Sequence, residues 1–380
     1  MSVLGIVAEY NPPHNGHKKH IALAKERVNP AETNVILSPC FTQRGEMAML
    51  SPWERARGAL DMGADAVFML PVRCVLRDAE HYAAAAVDRL AKTGVTHLAF
   101  GAENDDLKLL LRAAEATEGN KLRDALRKRL AEGTGYPRAM AEAAAEVMPE
   151  AAEVLGKPNN ILAVCYLRAI LRDHPEMEPV VIRRDGSYHA GNIDPENPGA
   201  GAVRAAVRSG DYGTAFSAVP EETEKMIRRA ALDRTLPDES RADILLREKW
   251  LTLGERRKEL PDLSEGIEDR MDKAVRTRGT RAEMLDAACG RRYSRARMSR
   301  LLACAMTGIR ADSPEPEEIL LLGLRGEAHV WREKSAKVIS SLKQVEDLPE
   351  WAAEIESMRV WGECAGRDEG WFYREKVVRV

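Results

Sequence analysis

Gly5-Ile6-Val7-Ala8-Glu9-Tyr10-Asn11-Pro12-Pro13-His14-Asn15-Gly16-His17 is the stretch on which the reading of this chain turns. A short apolar run, Val3–Tyr10, enters a turn closed by two prolines, and a helical pattern follows from about Gly16 to Arg27. His-x-Gly-His therefore stands where a first strand gives way to a first helix. A helix N-terminus presents unpaired N–H groups and the positive end of the helix dipole, which suits phosphate oxygens. Gly16 removes a side chain where a phosphate or base would approach the backbone. Two imidazoles three residues apart share one face and can donate to charge that builds between α- and β-phosphates. His14 and His17 are thus the candidate catalytic pair. The alternative is a surface loop with two incidental histidines, and it is disfavoured because the carboxyl edge of a parallel sheet is the usual ligand side.

Working outward, strand and helix signals alternate. Thr33–Leu37 reads as a second strand, and Ser51-Pro52 opens a helix with a capping residue and a proline at the first helical position. Ala66–Leu70 reads as a buried strand, Asp78–Thr93 as a helix and Thr96–Phe100 as a fourth strand. This alternation predicts an α/β, Rossmann-like parallel sheet covered on both faces. From about 106 to Val154 the pattern is helical, interrupted by Pro137 and Pro149. Pro158–Leu171 is a further helix, Pro179–Arg184 a returning strand and Gly186–Gly201 a loop. Beyond about 215 nearly everything is helix-forming. The expected division is a nucleotide-binding domain over 1–210 and a mainly helical domain over 211–380.

Composition narrows the function classes. Of 380 residues, 44% are apolar and 31% charged, a soluble globular balance. The longest apolar runs, Ala66–Met69 and Ile319–Leu322, fall far short of the roughly 18 residues of a membrane helix. The absence of a basic leader or cleavage pattern predicts a cytoplasmic protein. A net charge of −3 excludes a generic polyanion binder, although local asymmetry could still make one. Six cysteines, at 40, 74, 165, 289, 304 and 364, show no metal-ligand spacing and read as free thiols. Aromatic residues, at 5%, argue against a stacking platform for long single strands.

The His-x-Gly-His turn is similar to the signature of the nucleotidylyltransferase superfamily. Glu9-Tyr10-Asn11-Pro12 before it and His20 after it resemble the opening of the tRNA(Met) cytidine acetate ligase family. Further segments resemble that family in order: Phe41-Thr42-Gln43-Arg44-Gly45-Glu46, Trp53-Glu54-Arg55-Ala56, Gly63-Ala64-Asp65-Ala66-Val67 with Leu70-Pro71, Phe100-Gly101-Ala102-Glu103, Pro158-Asn159-Asn160-Ile161-Leu162 with Tyr166, and Tyr188-His189. The resemblance is close over 1–210 and looser beyond, where Tyr293–Arg300 still matches. It implies activation of acetate by ATP to acetyl-adenylate, with pyrophosphate released, followed by acetylation of the wobble cytidine of elongator methionine tRNA. Acetate is a poor acyl donor to an aromatic amine until AMP becomes its leaving group.

The same resemblance implies that ATP lies along Val7, Ala8, Glu9, Tyr10, Asn11, His14, Asn15, Gly16, His17 and His20. Gly101, Asn160 and the pair Arg183 and Arg184 would complete that site, with Mg²⁺ accompanying ATP. Gly101 ends a strand, where a missing side chain admits adenine or ribose. Asn159 and Asn160 precede an apolar helix, so one can cap it while the other, Asn160, reaches the ligand. Guanidinium groups at a strand end can clamp phosphates; a gap-free count from Tyr188-His189 puts the family's arginine at Arg183, with Arg184 still open. The Gln43–Glu46 loop is either a substrate or tRNA contact or a mobile tip.

Arg276–Arg300 carries eight arginines against Glu283 and Asp286. Such local density attracts phosphates whatever the net charge. Arg291, Arg292, Arg295, Arg297 and Arg300 are the candidate tRNA contacts, with Tyr293 available to stack on a base. Three departures stand against the family pattern. Gly199-Ala200-Gly201 lacks the hydroxyls of a late phosphate-binding turn, although Arg204 is kept; Pro52 replaces a lysine; and Ser38-Pro39-Cys40 replaces a Ser-Gly turn. Adenylation of another small substrate, or a silent nucleotide- or RNA-binding role, are the competing readings.

Overall fold

Eight strands form one sheet in the computed structural model, which describes all residues except 185–192, 264–265, 291–292 and 329, and the side chains of 136, 137, 153 and 333. The strands are β1 (Val3–Ala8), β2 (Glu32–Leu37), β3 (Ala66–Met69), β4 (His97–Ala102), β5 (Glu178–Arg183), β6 (Ile319–Leu324), β7 (Val338–Ile339) and β8 (Val378–Arg379). Their order is β5-β4-β1-β2-β3-β6-β7, with β8 also pairing β6. From β5 to β3 every pairing is parallel. The chain runs outward through β2 and β3 and then returns to the other side of β1 as β4. That reversal opens a crevice at the carboxyl ends of β1 and β4.

Alternation along the strands sends side chains to two cores. Leu4, Ile6 and Ala8 of β1, Val35 and Leu37 of β2, and Val67 and Met69 of β3 face one side. There they meet α1 (Asn15–Val28), α2 (Pro52–Asp61) and helical residues as distant as Trp250, Met284, Leu302 and Trp361. Val3, Ile36, Phe68 and Phe100 face the other side, against the helices Ala79–Lys92 and Pro158–Asp173. Fully burying side chains of this size contributes about 1.5–3 kcal/mol each. The first core runs continuously across residue 210, where Gly210 ends the helix Ala200–Ser209.

The strands and helices expected before residue 184 are present with ends shifted by one or two residues. Ser51 caps α2 through its hydroxyl, Glu54 returns the bond, and Pro52 takes the first helical position. The C-terminal region differs from the expectation of helix alone. β6 pairs antiparallel with β3, placing Ala66 opposite Leu324 and Val67 opposite Gly323. All six β6 residues are buried, so Ile-Leu-Leu-Leu shows no polar alternation that would mark a strand. Among the described residues, no helix is long and apolar enough to cross a membrane.

Candidate active site

The first turn of α1 is capped by its own histidines. His14 is the N-cap residue, and its Nδ1 accepts a bond from the His17 backbone N–H at 3.3 Å. His17 Nδ1 accepts from the His14 backbone N–H at 3.2 Å, so the two residues cap each other. The imidazoles stack with centroids 3.5 Å apart and planes 19° apart. A ring that accepts at Nδ1 and is neutral must carry its proton on Nε2. Neutrality follows from burial. It lowers His14 to about 3, His20 to about 4 and His17 well below 6.5, with the Arg184 guanidinium pushing each the same way. The turn therefore fixes two parallel imidazoles as Nε2–H donors.

Around this pair, folding leaves polar atoms unpaired. His14 Nε2, His20 Nε2, the Tyr10 hydroxyl, Asn11 Nδ2 and Asn160 Nδ2 are buried with no hydrogen-bond partner among the described residues. Each such group costs about 1–3 kcal/mol. A cluster of them at the sheet's carboxyl edge is the pattern of a site whose partners arrive with a ligand. Tyr10 sits at φ +44° with its ring 4.7 Å from His17. Val7 and Ala8 end β1, and Glu9 joins that strand to Tyr10. A side chain at Gly16 would meet the His14 ring at 3.2 Å, and Pro198 is next nearest, so the start of the 200–209 helix borders this turn.

The opposite wall comes from β4, β5 and the 158–173 helix. The Gly101 Cα faces Arg184 and His20, the two nearest side chains to a Cβ built there, at 3.6 and 3.9 Å. Arg184 donates to Asn159 Oδ1 at 3.1 Å. Arg183 leaves the strand on the other face, mostly exposed, with Asp105 at 3.8 Å. Strand alternation thus puts Arg184, rather than the Arg183 reached by counting, beside the histidines. Neither asparagine caps the helix. Glu103 does so, accepting from the backbone N–H groups of Asn159 and Asn160 at 3.3 and 2.9 Å and from Asn159 Nδ2 at 2.7 Å. Asn160 Oδ1 accepts from the Asn104 N–H, which leaves its amide nitrogen for the crevice. Asn15 is turned away: its amide donates to the carbonyls of Pro195 and Ser217.

Sequence reasoning missed the group that holds these ends together. Arg55 is fully buried and donates to the backbone carbonyls of Leu50, Glu9, Ser38 and Pro39, binding the ends of β1 and β2 to the start of α2. Burial lowers it to about 10. The motif Trp53-Glu54-Arg55-Ala56 contained it, but a helical arginine carries no sign that its partners are three separate segments. Arg204 likewise donates to the Asn11 carbonyl and pairs with Glu46, both at 2.8 Å. Glu9 accepts from the Gln43 N–H at 2.7 Å, and burial raises its carboxyl above the usual range.

The arginine-rich segment is largely engaged with the protein itself. Arg295, at the start of the helix Arg295–Thr307, is half exposed and pairs with Asp286. Arg297 donates to the Asp262 carbonyl at 2.5 Å and lies 5.9 Å over the Tyr293 ring. Burial lowers Arg300 below the usual arginine range, with Asp262 and Asp78 opposing that shift. Tyr293, expected to stack on a base, is only 6% exposed and belongs to the first core. Arg291, Arg292, Tyr188 and His189 lie outside the described residues. Among the described residues no group of three or more His, Cys, Asp or Glu could hold a metal ion.

Comparison with known proteins shows the family and the fold. The family model described as HIGH Nucleotidyl Transferase matches residues 1–360. The chain is 33% identical over 360 residues to a tRNA(Met) cytidine acetate ligase of Syntrophomonas wolfei, covering 90% of this chain and 86% of the relative. It is 31% identical over 357 residues to the Bacillus licheniformis protein of that name, covering 88% and 85%. Among solved structures, it superposes on apo Thermotoga maritima TmcAL with a TM-score of 0.90 at 26% identity, both chains covered in full. The alpha-thio ATP complex of the same protein gives 0.87, again with both chains covered in full.

Proposed function

We infer the mechanism from one premise: this chain belongs to the tRNA(Met) cytidine acetate ligase family, within the HIGH nucleotidyl transferases. It is an ATP-dependent ligase that activates acetate and acetylates the wobble cytidine of a tRNA. The observation that carries the assignment of chemistry to residues is the reciprocal histidine cap. ATP lies over the turn from Val7 to His20, its triphosphate directed at the Nε2–H groups of His14 and His17. An acetate oxygen attacks the α-phosphorus, the bond to the β-phosphate oxygen breaks, and pyrophosphate departs. Charge gathers on the bridging oxygen and on the α-phosphoryl oxygens, where preset donors in a site shielded from water act most strongly. The Arg184 guanidinium adds a fixed cation on the same side. Mg²⁺ would accompany the nucleotide and neutralise charge on its triphosphate.

The second step uses the mixed anhydride. The exocyclic amine of cytidine attacks the acetyl carbonyl carbon, the bond to the AMP oxygen breaks, and the amine loses a proton. Tyr10, Asn11, His20, Gly101 and Asn160 bind the nucleotide, and elongator methionine tRNA is the acceptor. A cytoplasmic setting follows from that substrate. The half-exposed Arg295, with Arg291 and Arg292, contacts the RNA backbone, while Arg297 and Arg300 hold the helix that carries it.

The test is transfer of labelled acetate into total tRNA with ATP, comparing the native chain with His17→Ala. Label in acetylated cytidine, reduced by about a hundredfold or more in the variant, is expected. No transfer by the native chain, with folding and ATP binding intact, would overturn this reading in favour of another acid or a silent role.

A further inference from the structure

The loop after β2 is pinned from both ends, and its pins link the nucleotide crevice to the arginine-bearing helix. Gly45 has φ +73°, and a Cβ there would lie 2.6 Å from the Ser299 carbonyl carbon and oxygen and 2.7 Å from the Arg300 nitrogen. The loop backbone therefore rests directly on the backbone of the 295–307 helix. Ser299 Oγ donates to the Arg44 carbonyl at 2.5 Å. Arg281, on the neighbouring helix Arg281–Ala288, donates to the Gly45 carbonyl at 2.7 Å and to Ser299 Oγ at 2.5 Å, while its own backbone N–H is held by Asp243. At the other side of the loop, the Gln43 N–H donates to Glu9 and its amide to the Arg77 carbonyl, and Glu46 receives Arg204, which also holds the Asn11 carbonyl.

We propose that Arg281 and Ser299 are positioning residues for acyl transfer: they seat the 42–46 loop between Glu9 and the RNA-bearing helix, so that this loop forms the acceptor side of the site. The proposal rests on the ligase reading given above. Its logic is geometric. The nucleotide turn makes its own cap, and Glu9 and Arg204 hold the near side of the loop to it, so removing Arg281 or Ser299 frees only the far side and leaves acetyl-adenylate formation largely intact. The loop lies on the backbone of the 295–307 helix and exposes Arg44, the cation it would present to an acceptor base delivered along that helix. Displacing a positioned reactant by about 1 Å costs on the order of a hundredfold in rate. The residues act through the loop and do not touch the reacting atoms.

The two half-reactions separate the roles. Acetate-dependent exchange of pyrophosphate into ATP reads adenylation without RNA, and labelled acetate appearing in tRNA reads transfer. For Ser299→Ala and Arg281→Met, exchange is expected within about twofold of the native rate, while kcat for transfer falls about tenfold to a hundredfold with KM for tRNA little changed. Arg281→Lys should recover part of the transfer rate, since a single ammonium can reach the Gly45 carbonyl. Thermal unfolding of each variant guards against a general loss of structure, and Ser299→Ala, which removes one hydroxyl, is the mildest of them. Exchange and transfer falling together, or transfer left at the native rate, would overturn the proposal while leaving the ligase reading intact. A native chain inactive in both assays would overturn the reading itself, and the positioning roles with it.

Discussion

The histidine turn at 10–20 and the arginine segment at 276–300 are the two polar segments to which the sequence assigns ligands, and the structure treats them in opposite ways. In the turn and its facing wall, buried donors such as His14 Nε2, the Tyr10 hydroxyl and Asn160 Nδ2 have no partner among the described residues. In the arginine segment, Arg276 pairs with Asp272, Arg281 binds Gly45 and Ser299, Arg295 pairs with Asp286, and Arg297 binds the Asp262 carbonyl. Polar groups paired inside the fold serve the fold. Polar groups buried and left unpaired are destabilising until something binds them, so their retention points to a ligand.

If pairing rather than location separates architecture from ligand site, the largest effect on stability should come from Arg55. It lies within the nucleotide edge yet is fully paired. Arg55→Met should lower unfolding free energy by about 3 kcal/mol or more, because several buried carbonyls lose their donor together. Denaturant unfolding measures this, and a loss below about 1 kcal/mol would break the comparison. Next in size is the opposite sign. Tyr10→Phe removes a buried hydroxyl that has no partner and should raise the stability of the free protein by about 1 kcal/mol. The same variant should weaken ATP binding and so reduce the rise in melting temperature that ATP produces. A Tyr10→Phe protein less stable than the native one would show that the hydroxyl already has a structural partner.

The smallest effect should come from Arg295. Its pairing with Asp286 is an exposed ion pair, worth about 0.2–1 kcal/mol. Arg295→Ala should leave stability within about 0.5 kcal/mol of native and weaken tRNA binding only a few-fold. The salt dependence of binding should fall by about one phosphate contact. Titration of tRNA at several salt concentrations checks both.

Much of the candidate site could be read before the fold was known, for a local reason. His14, Gly16 and His17 sit on one turn, so their relation is set by helix geometry over four residues. Gly101 and Asn160 follow from strand ends and a helix start, the positions a parallel sheet reserves for ligands. What could not be read were relations between segments. That Arg184 and not Arg183 lies beside Gly101 and His20 depended on which face of β5 turns toward β4. Glu103, not an asparagine, caps the 158–173 helix because β4 ends beside it. Tyr293, which resembled a stacking residue, is covered by a core assembled from residues on both sides of position 210.

The sequence by itself determined the alternation of strands and helices through residue 184 and the histidine turn, because hydrophobic period, proline, glycine and capping chemistry act over a few neighbouring residues. Only the tertiary structure decided that Ile319–Leu324 is a strand, since a run buried on both faces carries no period and takes its conformation from the open edge of β3. It also decided which polar groups would be paired. An arginine's side chain reaches carbonyls far away in sequence, and whether it meets one is fixed by how the segments pack, not by its neighbours in the chain.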